Sequence, residues 1–141
     1  MDIKKIISIT TLTVLMSAGH ASADILVVVN KHSETTKLSK NELIDLYMGR
    51  FRTFPNSKPA RLYDRSDLRN EFYRQLIDKS VSEVNAFWAR LLFTGRAKPP
   101  EALDTTASLL EVLNDDMQAI GYINESDMQA SMKVVYRISR R

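Results

Sequence analysis

At 141 residues the chain has room for one domain with a sizeable core, and not for two. Twenty basic against 17 acidic residues give a formal charge of +3, too near balance to suggest a nucleic-acid partner. With no cysteine, the chain excludes disulfides, thiolate metal sites, thiol chemistry and lipid attachment at an N-terminal cysteine.

The first residues look like a transport address. Lys4 and Lys5 form a basic start, Ile6 to Met16 is an apolar run interrupted only by Ser and Thr, and Ala21-Ser22-Ala23 supplies the small residues of a cleavage site. The run is shorter than the roughly 20 residues that span a bilayer. The pattern predicts a signal peptide over residues 1–23, cleaved after Ala23. An N-terminal anchor or a buried helix is the competing reading. Cleavage leaves one domain, residues 24–141, with 18 basic and 16 acidic residues. No later segment is long and apolar enough to cross a membrane.

Ile25 to Val29 is a continuous β-branched and apolar run, the pattern of a strand buried on both faces. Asn30 to Lys37 is polar and predicts a loop. Ser39 with Glu42 three residues on forms a capping box, and Leu38 with Leu43 can form the hydrophobic staple around it. The helix that follows carries Leu43, Leu46 and Tyr47 on one face and stops at Gly49. Arg50 to Ala60, with Phe51, Phe54 and two prolines, predicts an irregular loop, and Arg61 to Tyr63 a short strand. Ser66 or Asp67 is expected to cap a second helix through Ile77, striped by Leu68, Phe72 and Leu76. Ser80 and Glu83 form another capping box, before a helix with Val84, Phe87, Trp88, Leu91 and Leu92 at helical spacing and Gly95 at its end. Lys98-Pro99-Pro100 predicts a turn. Thr105 to Asn114 is a further amphipathic segment, and Ala119 to Ile123 and Met132 to Ile138 read as strands. Gly121 between Ile120 and Tyr122 predicts a close backbone approach. The expected order is β, α, β, α, α, α, β, β, which argues an α/β fold with a small, mainly parallel sheet flanked by helices.

Catalytic signals are sparse. There is no G-x-S-x-G elbow, phosphate loop or dinucleotide fingerprint. Once His20 leaves with the signal peptide, His32 is the one histidine, so a His-rich metal site is excluded and a catalytic triad has a single candidate base. No enzyme activity and no cofactor is expected. One local feature suits an anion. Arg65-Ser66-Asp67-Leu68-Arg69 lies where a strand meets a helix, so free N–H groups, the Ser66 hydroxyl and the Arg65 fork would converge. Capping by Ser66 or Asp67, with Arg65 and Arg69 facing water, is the plainer alternative. Phe87 and Trp88 fit a core stripe. Phe51 and Phe54, beside Arg50 and Arg52, either fold over the core or form a contact patch.

Three stretches resemble the phosphate-binding-protein-like family, the periplasmic substrate-binding components of phosphate ABC transporters. Leu38-Ser39, Glu42-Leu43, Leu46-Tyr47 and Gly49-Arg50 follow the family's opening segment. Phe87-Trp88 with Phe93-Thr94-Gly95 is similar to its Phe-Trp helix, and Ala119 to Ile123 to its Gly-Tyr strand. The resemblance spans residues 25–137 and implies one lobe of a two-lobed periplasmic binding protein. It implies phosphate or another small oxyanion as ligand, with Arg65, Ser66 and Arg69 as candidate ligands. The family's Ser-Gly-Thr turn after the arginine is absent here. A homodimer would supply the second wall that one lobe lacks. The alternative is an interaction module for an envelope sensor, transporter or complex, contacting it through Arg50 to Phe54 and the basic tail Arg137 to Arg141. Both readings put the cleaved protein in the periplasm.

Overall fold

Every residue of the first strand, β1 (Ile25–Asn30), is buried, because helices cover both faces of the sheet it belongs to. The computed structural model describes residues 23–140, so the expected signal peptide lies, but for Ala23, outside the described residues. Along β1 the side chains alternate. Leu26 and Val28 pack with Leu109 and Leu113 of helix α4 (Thr106–Asp115). Ile25, Val27 and Val29 pack on the other side, against helices α1 (Lys40–Tyr47), α2 (Arg69–Ile77) and α3 (Val81–Phe93). The remaining strands are β2 (Arg61–Arg65), β3 (Glu101–Leu103), β4 (Ala119–Asn124) and β5 (Met132–Ile138).

The sheet order is β3-β2-β4-β1-β5. β2 runs parallel to β3 and to β4, whereas β1 is antiparallel to both β4 and β5. Four strands therefore point one way and β1 alone runs against them. The result is a mixed, open α/β sheet, mainly parallel in direction as expected. Among the described residues no helix is long and apolar enough to cross a membrane.

Both capping boxes form. Ser39 Oγ accepts from the Glu42 N–H at 3.1 Å while Glu42 accepts from the Ser39 N–H at 2.7 Å, and Ser80 and Glu83 repeat the arrangement. Leu38 and Leu43, the expected staple pair, are both buried. Gly49 ends α1 with φ +73°, and a Cβ there would meet the Trp88 ring at 2.7 Å. Gly121 faces Leu109, whose Cδ1 would lie 2.5 Å from an added Cβ. That glycine lets α4 settle onto β4.

Two expectations are corrected. Neither Ser66 nor Asp67 caps α2. Its N-cap is Leu68, in helical backbone geometry and with no side-chain cap bond. β3 was not expected, because Glu-Ala-Leu after two prolines has no strand pattern of its own and becomes a strand only by pairing with β2. The loop aromatics divide: Phe54 is buried and Phe51 is exposed.

Candidate functional site

The sheet topology itself opens a crevice. From β2 the chain turns into α2, which packs on one face, and from the neighbouring β3 it turns into α4, which packs on the other. Where adjacent parallel strands send their connections to opposite faces, the carboxyl ends splay apart, and α/β proteins bind ligands there. The residues at that point are Arg65 and Ser66 after β2, and Asp104, Thr105 and Thr106 after β3.

Arg65 is the anchor of this cluster. Its side chain is buried, on the α4 side of β2, and donates from Nη1 to Thr106 Oγ1 at 2.7 Å. Its Nη2 is ion-paired with Asp67 Oδ2 at 3.1 Å. Its Nε has no acceptor among the described residues, an unusual state for a buried guanidinium nitrogen. The Ser66 N–H donates to the Leu103 carbonyl at 3.0 Å, tying β2 to β3, and the Ser66 hydroxyl donates to Asp104 Oδ1 at 2.8 Å. The Thr106 hydroxyl in turn donates to Asp127 Oδ2 at 3.2 Å. Thr105 caps α4 by accepting from the Ser108 N–H. Most donors at this rim are already engaged by carboxylates of the chain, the Arg65 Nη2 by Asp67, the Ser66 hydroxyl by Asp104 and the Thr106 hydroxyl by Asp127, and the Arg65 Nε is left without an acceptor among the described residues.

Arg69 stands apart from this rim. Its Nε donates to Asp64 Oδ2 at 3.0 Å, on the α2 side of β2, and its guanidinium lies 5.7 Å from the Tyr73 ring centroid. Asp64 is almost wholly buried and accepts on Oδ1 from the hydroxyls of Tyr73 at 3.0 Å and Tyr122 at 2.9 Å. Burial pushes the Asp64 carboxyl above the ordinary aspartate value, while the two tyrosine hydroxyls and Arg69 pull it back. Burial, then the Asp64 charge, raises both tyrosines well above their ordinary values, so they remain donors. Phe72 stacks on Tyr122 with centroids 3.8 Å apart, closing the network from water. Of the three expected site residues, the fold thus joins Arg65 and Ser66 and commits Arg69 to Asp64.

Sequence reasoning missed Thr106, Asp104 and Asp127. Asp104-Thr105-Thr106 before an apolar-periodic segment was a helix-start signal in its own right. Nothing local to Asp127 pointed to the cluster, since its partner lies on a separate element.

The sheet order and helix layers define a single open α/β unit with helices on both faces. Its fold is similar to that of an ABC-type phosphate transport receptor from Vibrio cholerae, with TM-score 0.62 and 17% identity over 80% of this chain and 46% of that chain. A chain from Clostridium perfringens described as a phosphate ABC transporter substrate-binding protein, with bound phosphate, matches with TM-score 0.62 and 18% identity over 80% of this chain and 45% of that one. A possible phosphate binding protein from Planctomyces limnophilus DSM 3776 matches with TM-score 0.55 and 13% identity, covering 80% and 41%. The chain spans a little under half the length of these structures. No family model matches the sequence, and none of the curated proteins does.

Proposed function

We propose that the chain is an exported, single-lobe binding protein, not an enzyme, and that it holds a small oxyanion at the Arg65–Ser66 rim. Phosphate is the first candidate, since one neighbour of the same fold is described with phosphate bound. The observation that carries the reading is Arg65: a buried guanidinium at the carboxyl ends of parallel strands, with an unpartnered Nε. Arg69, the first residue of α2, adds positive field but not a direct ligand while Asp64 holds it. Affinity is modest, on the order of millimolar, because one lobe cannot enclose an anion and three carboxylates compete for its donors.

Titration calorimetry of residues 24–141 with phosphate tests this. A saturable heat that disappears in Arg65→Ala is the expected result. No heat with phosphate or sulfate ends the proposal. Export is checked separately, by finding a periplasmic product whose first residue is Asp24.

A second role, contact with a protein partner, is favoured by a different observation. Phe51, between Arg50 and Arg52, and Phe93 are exposed apolar side chains.

A further inference from the structure

At the opposite end of β2 from Arg65, two loops and an edge strand enclose a groove of about 720 Å³. Phe51, Trp88, Leu92 and Pro99 supply its apolar wall. Phe51 is 59% exposed and Leu92 51%, and the adjacent Phe93 is 96% exposed. Exposed aromatics gathered around a concavity mark an interaction surface rather than ordinary solvent-facing side chains. The two loops are tied to each other, because the Arg52 guanidinium donates to the Arg96 carbonyl. The rim is thus formed before anything binds.

Three properties identify the occupant. The rim is basic: Arg52 and Lys98 line it, and Arg61 also lines it but is neutralised by Asp116 at 2.8 Å. Glu101 is the one acidic residue lining the groove. The groove reaches β3 at Glu101, and β3 is the end strand of the sheet, which pairs with β2 and leaves its outer edge open among the described residues. An open edge accepts an extended peptide as an added strand. Finally, the Trp88 indole N–H has no acceptor among the described residues, although the ring is buried against the groove.

We propose that the groove binds an extended, acidic peptide segment of a partner protein, which adds along β3 and seats an apolar side chain against Phe51 and Trp88. A second copy of this chain would bring the same basic rim and be repelled. A flat anionic membrane matches the charge but uses neither the concavity nor the strand edge. Residues 1–22 carry Lys4 and Lys5, of the same sign as the rim. Asp24 lies at the far end of the sheet from the groove, paired with Arg137.

The test uses an array of blocked peptides alternating aspartate or glutamate with each apolar residue in turn, and lysine-for-acid copies of each. Trp88 is the chain's single tryptophan, so its fluorescence reports directly on the groove. Acidic peptides are expected to give a saturable shift and lysine copies none. Arg52→Glu and Phe51→Ser, both at exposed positions, weaken binding at least tenfold while circular dichroism and the phosphate response stay unchanged. Phosphatidylglycerol vesicles and sedimentation of the protein alone are run in parallel. The proposal is overturned if no acidic peptide shifts Trp88 or if the lysine copies bind as well. It is also overturned if the response is confined to vesicles or to self-association.

Discussion

Arg65 and Asp67 meet at 3.1 Å with unequal exposure, the arginine side chain at 5% and the aspartate at 54%. The pair is therefore asymmetric: the guanidinium is fixed in the crevice, and the carboxylate is the member that water, or a competing anion, can reach. Asp67→Asn is expected to tighten phosphate binding about tenfold, the effect of removing roughly 1.4 kcal/mol of like-charge repulsion. It also lowers the melting temperature, since Arg65 keeps its charge with fewer partners. Phosphate then raises the melting temperature of the variant more than that of the wild type. Calorimetry and melts over a phosphate series read both effects. Equal affinities in the two proteins would rule out displacement of Asp67.

The Asp64 network makes a pH prediction. Burial raises the native proton affinity of Asp64 above that in the unfolded chain. Its contribution to stability is full below the unfolded value, about 3.9 for an ordinary aspartate, and falls as pH rises through the higher native value. Asp64→Asn has no such titration. The wild type's stability advantage over the variant is expected to be largest in acid and to narrow toward neutral pH, as measured by urea unfolding at stepped pH. An advantage that widens with pH contradicts the assignment.

Gly121 fixes the distance between α4 and the sheet. A methyl group there overlaps the side chain of Leu109, which is fully buried. Gly121→Ala is expected to cost about 1–3 kcal/mol. Leu109→Val in the same chain recovers part of it, because the overlapping atoms are shortened. Additive losses in the double variant would show that the contact is not the cause.

Gly49 sits at φ +73° against the Trp88 ring. Gly49→Ala combines left-handed strain of about 1 kcal/mol with a clash against a buried aromatic. A loss of more than about 1 kcal/mol is expected, accompanied by a shift in Trp88 emission. Denaturant unfolding followed by fluorescence measures both.

What could be read before folding was what is local. Ser39 with Glu42, and Ser80 with Glu83, cap their helices through bonds that span three residues, so the sequence displays them directly. β1 is an unbroken apolar run because both its faces are covered. The candidate site was half legible. Arg65 and Ser66 announced themselves by adjacency at a strand end. Asp104, which engages Ser66, and Asp127, which engages Thr106 beside Arg65, come from other elements, and the helix cap expected of Ser66 was lost to Asp104. Asp64 was illegible for the same reason. Its burial is tolerable because Tyr122, 58 residues away, donates to it together with Tyr73 and Arg69. β3 exists only through its neighbour.

β1 is the first element of the described residues, yet its strand partners among them are β4 and β5, the last two strands described. A growing polypeptide halted before Met132 carries Ile25 to Val29 with one edge unsatisfied. Such an oily segment is a target for chaperones and a seed for aggregation. Closure of the sheet around β1 thus waits for the synthesis of Met132–Ile138.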